Sequence, residues 1–304
     1  MSNIVERVLQ TNIYIQPIHF LLAIITNIFN IRILCCRTLL SSPCTYYFLV
    51  YAILSIIYTC LLCPIQFARG FSINWINGQV TCKIHTYLLF ILPFHSNIML
   101  ILASLDRYYS SLKIRRLQST SAIRIASRNI IYTTLFSIFY MLPMLFIYNW
   151  NEKSRKCLLK FHNIINIYTL SQFIIYYILS PSIMILFGIL TVYNIRQKSI
   201  RVILCISWIR QRRRRRTEYQ LVRMLILQVI VHLILVLPFG IIYSINSIIP
   251  STQTPTIIAI RLIFVSWQQC DHFISFFLYI LSASIYRQQL IRLLKSIKCL
   301  NIRK

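Results

Sequence analysis

The sequence predicts an all-α polytopic membrane protein, a seven-transmembrane-helix bundle with a short amphipathic eighth helix. Three observations carry this. The 304 residues are 58% hydrophobic with a mean hydropathy of +0.68, and only 12% are charged, whereas a soluble domain averages about 25% charged. The apolar residues fall in runs long enough to cross a hydrocarbon core as helices, unlike the short alternating segments of a transmembrane barrel. The 32 Lys and Arg residues, set against 5 Asp and Glu, lie mainly in the gaps between those runs. A formal charge of +27 also raises nucleic-acid binding, but basic residues confined to inter-helix gaps argue against it.

The runs are drawn in order at 14–36, 44–68, 81–112, 122–148, 164–197, 218–248 and 257–284. They divide the chain into a polar segment 1–13, a membrane domain 14–284 and a tail 285–304. Met1 to Gln16 is polar and leads straight into a full-length span, so no cleavable signal peptide is expected, and no Asn-x-Ser/Thr sequon occurs. Of the 32 basic residues, 24 fall in the gaps after spans one, three and five and in the tail, and 8 fall on the other side. The positive-inside rule then places the amino terminus outside and the carboxyl terminus in the cytoplasm. Seven spans satisfy both ends; six or eight do not. No internal repeat is visible, which counts against a transporter built from duplicated halves.

Two motifs bracket the third span. Trp75, Gly78 and Cys82 precede it, and Asp106, Arg107 and Tyr108 close it, with Asp106 lying 24 residues after Cys82. Such an interval makes a helix of roughly 36 Å, enough for a hydrocarbon core of about 30 Å. Cys82 and Cys157 lie on the same outer, oxidising side, where a bridge is permitted; two unpaired cysteines are the alternative. The flanks of Cys157 alternate in a way that fits a hairpin lid. Cys60 and Cys63 have metal or redox spacing, but in an apolar span without further ligands they read as packing, and neither metal nor cofactor is expected. At the inner end, Arg107 and Glu218 have two readings. Either they are ordinary interfacial charges, or Arg107 bridges Asp106 and Glu218 as a latch that restrains the sixth helix.

These residues together resemble the rhodopsin-like family of G-protein-coupled receptors, over residues 14–299. In style the chain is most similar to invertebrate FMRFamide-receptor-like peptide receptors, through Pro43, Cys44, Phe48 and Leu49, the stretch Leu102–Tyr108, Asn194–Gln197 and Met224–Gln228. The resemblance implies a receptor, not an enzyme, at the plasma membrane, with an extracellular ligand and a heterotrimeric G protein as partners. By position it implies a Cys82–Cys157 bridge, a first-helix asparagine at Asn27, a G-protein-contacting Arg107 and helix-bending Pro181 and Pro238. It also implies a latch acid at Glu218 and a seventh-helix tyrosine at Tyr279. Tyr286 and Arg287 open the eighth helix, with Leu290, Leu293 and Leu294 toward the membrane and Cys299 placed for palmitoylation.

The chain departs from the family pattern inside the bundle. The second-helix aspartate is Ser55, the sixth-helix tryptophan is Val236, the seventh-helix proline is Phe276, the fifth-helix tyrosine is Ile189, and the fourth-helix tryptophan is missing. Asp271, by contrast, is a charge inside the seventh span, a costly and usually functional placement. It is expected either to gather Asn27, Ser55, Ser96 and Ser275 into a relocated sodium-linked core, or to stay neutral and hydrogen-bond Asn97 or His272.

For the ligand, Leu89 stands where amine receptors need an acid and Gln269 where opsins need a lysine. The outer ends carry 8 Lys and Arg against Glu6 and Glu152, a field that suits a peptide with acidic groups. By position the pocket is expected to be lined by Gln66, Arg69, His85, Phe90, Gln172, Phe173, Tyr243, Arg261 and Gln268, all of which can equally be packing residues. The inner run Arg212–Arg216 suits anionic lipid, at about 1 kcal/mol per charge near the surface, and a G-protein surface. A membrane transporter or channel, or a receptor-like protein that no longer signals, is the alternative.

Overall fold

The computed structural model describes residues 3–40, 42–71, 73, 78–112, 119–152, 156–159, 163–201, 208–249 and 254–302. Its helices are α1 (Asn3–Leu34), α2 (Arg37–Leu40), α3 (Pro43–Gly70), α4 (Gln79–Ser111), α5 (Ser119–Met141) and α6 (Met144–Ile147). They continue with α7 (Asn163–Phe173), α8 (Ser180–Arg201), α9 (Trp208–Ile248), α10 (Pro255–Gln269), α11 (Asp271–Ser282) and α12 (Ser284–Ile302). An antiparallel hairpin, β1 (Tyr148–Asn151) with β2 (Lys156–Leu159), follows α6. Among the described residues, six helical stretches are long and apolar enough to cross a membrane: Ile4–Leu34, Pro43–Gly70, Gln79–Ser111, Ile123–Ile147, Ile167–Ile195 and Arg223–Asn246. The seventh crossing is α10 and α11 in series, so the seven-helix bundle of the sequence analysis is the observed architecture.

Two boundaries differ from the expectation. The polar segment 1–13 is helical from Asn3: Glu6, Arg7, Gln10 and Thr11 are exposed, while Asn12 is buried against α10. Ser266 Oγ donates to Asn12 Oδ1 at 3.1 Å, and Gln16 Nε2 donates to Ser266 Oγ at 3.3 Å. Gly70 lets this extension close on the end of α3. A Cβ there would stand 2.4 Å from Ile13 Cγ1 and 2.9 Å from the Leu9 carbonyl. The seventh span is interrupted at Cys270, whose N–H pairs back only three residues, to Trp267 O at 3.1 Å. The chain has no proline here, yet a tightened turn sits immediately before Asp271.

Apolar side chains occupy both surfaces of the helices. Buried ones form two clusters, one around Phe48, Met99, Met224 and Tyr279, the other around Tyr58, Phe94, Met141 and Tyr176. Outward ones such as Ile131, Phe139, Phe146, Ile189 and Leu281 are exposed. A soluble monomer does not carry such a belt; on a bundle this apolar it is the lipid face. α5, the fourth span, lacks the family's tryptophan and is tied to α4 by His95, which hydrogen-bonds Ser137 at 3.2 Å and Thr134 at 3.1 Å.

Within lipid every freed backbone group has to be satisfied by the protein itself, and proline frees one by lacking an N–H. Ahead of Pro181 the chain makes a π-helical turn, Ile174–Leu179, in which the Ser180 N–H reaches Ile175 O. In that i→i−5 register the missing Pro181 donor belongs to Tyr176 O, and Asn97 Nδ2 of α4 supplies it at 3.2 Å. In α9 Pro238 frees Ile234 O, and the Trp267 indole N–H of α10 donates to it at 3.2 Å. Both bends are therefore closed by side chains from neighbouring spans. Trp267→Phe keeps the ring and removes the donor. It is expected to destabilise the purified protein by about 1–3 kcal/mol, the cost of an acceptor left unsatisfied at the apolar outer face, read as a lowered thermal midpoint in detergent; an unchanged midpoint would show that the carbonyl is satisfied otherwise.

Candidate functional site

The hairpin covers one end of the bundle because two links hold it there. Cys157 of β2, paired opposite Trp150, is disulfide-bonded to Cys82 at the start of α4, with Cα atoms 5.7 Å apart. Closing a 75-residue loop removes entropy from the unfolded chain, which typically stabilises by about 2–4 kcal/mol. Tyr148 of β1 meets Tyr243 of α9, hydroxyl to hydroxyl, at 3.0 Å. Burial is the main reason the Tyr148 phenol titrates far above its usual range, and the charge of Arg261 opposes that rise. Tyr148 thus stays neutral at physiological pH, with Arg261 close enough to be felt.

Beneath the hairpin lies a cavity of about 170 Å³. Six of the nine residues expected from sequence line it: Gln66, Phe90, Gln172, Phe173, Tyr243 and Gln268. Arg69, His85 and Arg261 do not belong to its walls. His85 turns instead toward the Leu61 carbonyl at 3.5 Å, and the charges of Arg69 and Arg261 act on one another outside the cavity. Among the described residues, none that lines the cavity is an acid, a base or a histidine. Sequence reasoning missed Tyr58, Phe94, Tyr176, Tyr177, Phe239 and Ser244, since aromatic residues in apolar spans look the same whether they pack or line a void. One signal was legible, Gly240. A Cβ there would lie 2.3 Å from the Tyr177 ring, so the glycine lets that ring lie against α9 at the cavity wall.

At the cavity's inner wall Tyr58 stacks on His272, with ring centroids 4.5 Å apart, and this contact leads into a buried polar core. His232 Nδ1 of α9 stands 2.9 Å from Asp271 Oδ2, and Tyr51 of α3 donates to the same oxygen at 3.1 Å. Asp271, His232 and Tyr51 are each less than 5% exposed. Asp271 therefore does not gather the expected serine and asparagine group. Asn27 Nδ2 donates to the His272 backbone carbonyl at 2.7 Å, and His272 Nδ1 pairs with Ser55 Oγ at 3.3 Å. Ser96 and Ser275 are buried without a hydrogen bond to Asp271, and Ser275 Oγ has no partner among the described residues. Nor do Asn97 and His272, the other expected partners, reach the carboxylate. His232 was overlooked because a histidine on an apolar helix reads as a packing residue until its opposite number is known.

The opposite end of α4 carries Arg107, buried, 3.2 Å from Asp106 Oδ2 and donating also to Ser42 Oγ. Tyr108 packs its ring on Phe187 of α8. The side chains of Glu218, Arg212–Arg216 and Cys299 fall outside the described residues, so half of the expected latch does as well. Other links tie α9 here: Tyr279 donates to Gln228 Oε1 at 2.6 Å, and Gln220 donates to Ser284 Oγ at 2.7 Å. Tyr286, which also donates to Asn30 Oδ1, packs edge-on against Tyr279. Cys60 is exposed and Cys63 buried, and no group of metal-binding side chains occurs among the described residues.

A family model described as the 7 transmembrane receptor (rhodopsin family) matches residues 26–286, most of the chain. No curated protein matches it significantly.

The Asp271–His232 contact can be weighed by a double-mutant cycle. Removing one partner leaves the other's charge or donor buried and unmatched, so Asp271→Asn and His232→Ala are each expected to cost about 3–5 kcal/mol. The double variant should cost clearly less than the sum. Additive losses in thermal or denaturant unfolding would show that the pair is not coupled.

Proposed function

The chain belongs to the rhodopsin family of seven-transmembrane receptors, and on that premise we propose that it binds an extracellular peptide in the aromatic cavity and activates a heterotrimeric G protein at the Arg107 end. A receptor of this family is not an enzyme in the bond-making sense. It acts by population shift, and a ligand moves the equilibrium only by its differential affinity for the two states. The observation that carries the reading is a series of contacts that runs from the cavity along α11 toward the inner end. Tyr58 touches both the cavity and His272. The adjacent Asp271 binds α9 through His232 and α3 through Tyr51. Farther along α11, Tyr279 holds Gln228 of α9 and packs edge-on against Phe48. A ligand that displaces Tyr58 acts on the same helix whose other end is tied near Arg107.

The surrounding proposals follow from charge. The distribution of basic residues supports a plasma-membrane orientation with the hairpin outside and the tail inside. Peptide is favoured over amine, because Leu89 lines the cavity where an amine needs an acid. The short patterns shared with FMRFamide-receptor-like proteins point the same way. Arg69 and Arg261, with no acidic partner among the described residues, supply a field suited to acidic groups on the ligand. Arg212–Arg216 is assigned to anionic lipid and to the G protein, and Cys299 to palmitoylation. Asp106, Arg107 and Glu218 form the proposed latch, with Tyr108 and Tyr279 flanking the coupling surface.

Nucleotide exchange on a panel of G proteins, measured in membranes holding equal surface amounts of receptor, tests this reading. Glu218→Ala is expected to raise basal exchange roughly fivefold, the equivalent of about 1 kcal/mol in the two-state equilibrium, whereas Arg107→Ala should depress it. An unchanged baseline in Glu218→Ala would remove the latch. No exchange on any G protein with a broad peptide library would overturn the receptor–G-protein reading itself.

A further inference from the structure

We propose that the cavity receives an uncharged aromatic group that carries a hydrogen-bonding amide or equivalent, and that any charge on the ligand stays outside it. This deepens the preceding section and rests on the cavity being the ligand site. Size comes first. Benzene fills an apolar cavity of about 150 Å³, so a void of about 170 Å³ takes one aromatic ring with a small substituent, not a whole peptide. The walls set the shape of that group. Tyr58, Phe90, Phe94, Tyr177 and Phe239 line the void, offering the edges and faces that an aromatic ring packs against.

The polar chemistry excludes charge. Among the described residues, an ammonium brought into this void meets no carboxylate and a carboxylate meets no guanidinium, because the lining holds no ionisable side chain other than tyrosine. An ion buried without a partner costs several kcal/mol. The same walls exclude a purely apolar group. Gln66 is 5% exposed, and its Oε1 is buried with no hydrogen-bond partner; Ser244, also 5% exposed, leaves its Oγ in the same condition. Both residues face this cavity, on α3 and α9 respectively. Unsatisfied buried acceptors are rare in native structures and ask for a partner. A carboxamide both donates and accepts, so it satisfies Gln66 in either orientation of that side-chain amide. It satisfies the Ser244 hydroxyl in either direction as well. Gln172, whose Nε2 donates to Tyr168 at 2.8 Å, is already held in place and adds a fixed wall.

The charged part of the ligand has its own place. Arg69 and Arg261 lie beyond the walls, Arg261 near the Tyr148–Tyr243 pair that borders the cavity. An acid belongs there, one step out from the neutral ring.

The test uses the full chain in lipid nanodiscs and four small probes: benzamide, toluene, benzoate and benzylammonium. Binding is read by ligand-observed NMR at millimolar concentration, with competition between probes. Benzamide is expected to bind at least about tenfold more tightly than either ion, in line with the cost of leaving site polar groups unpaired. It should also outbind toluene. Gln66→Leu should bring benzamide to within about twofold of toluene; Ser244→Ala should narrow the same gap and carries the test if Gln66→Leu does not fold. Equal or tighter binding of benzoate or benzylammonium, no binding of any probe, or an unchanged ranking in the folded variants would overturn the proposal. Because binding is read without a G protein, probes that bind while exchange is absent would count against the receptor–G-protein reading alone, and exchange without benzamide binding against this one alone.

Discussion

A carboxylate in the middle of a lipid-embedded bundle has to be matched from inside the protein, and the match made by Asp271 organises three helices at once. His232 comes from α9 and Tyr51 from α3, both onto a single oxygen. The need is physical: no bulk water is available at that depth, and an unmatched charge costs several kcal/mol. The tightened turn at Cys270 places Asp271 as the first residue of α11. The next residue, His272, is held by Asn27 from α1 through its carbonyl and by Ser55 from α3 through its ring. Four spans therefore meet around two consecutive residues. Relatives of the usual pattern place an acid on the second span and a tryptophan on the sixth; here Ser55 and Val236 occupy those positions and the polar weight sits on the seventh.

The same solvent constraint governs the backbone. Pro181 and Pro238 each remove a donor, and each loss is made good by a different span, Asn97 for Tyr176 O and Trp267 for Ile234 O. These bonds convert two local helix defects into inter-helix contacts. They also couple them to the cavity, because Tyr176 lines it while its carbonyl faces Asn97. A change in the position of the Tyr176 ring is thus felt by α4, and one at Ile234 by α10. Bends held by side chains can exchange partners more readily than bends held by covalent geometry, and they lie between the two ends that the proposed function has to connect.

The legible part of this protein was the part written in long-range charge and spacing. Basic residues in the gaps, the Cys82-to-Asp106 interval and the apolar runs specify seven crossings, and Cys157 falls on the correct side to meet Cys82. Six of the nine residues expected by position line the cavity, because helix periodicity and span order fix which face looks inward. The rest required knowing which residue stands opposite which. His232 and Asp271 are 39 residues apart and Tyr51 and Asp271 are 220 apart; no local pattern links them. Ser55 and Asn27 were rightly placed in the core but beside His272, one residue from where the carboxylate argument put them. Successive helical residues point about 100° apart, so the wrong neighbour brings a different partner set. The helical amino terminus was illegible for a related reason: Asn12 and Gln16 look like solvent-facing residues unless Ser266 is known to face them.

Charge on this receptor is sorted by depth. Arg69 and Arg261 stand outside the walls, the described lining is uncharged, and the buried acid Asp271 lies below it, held by His232 and Tyr51. Such sorting lets a charged ligand be attracted without being asked to desolvate its charge, since long-range attraction raises encounter and a neutral contact surface carries the buried interface. It also insulates the Asp271–His232 contact: an ammonium or carboxylate in the cavity would act on it through low-dielectric surroundings, whereas an uncharged ring acts on it only by moving Tyr58. The input to the core is then mechanical, through a ring stacked on His272, and the response depends on whether α9 keeps its hold on Asp271.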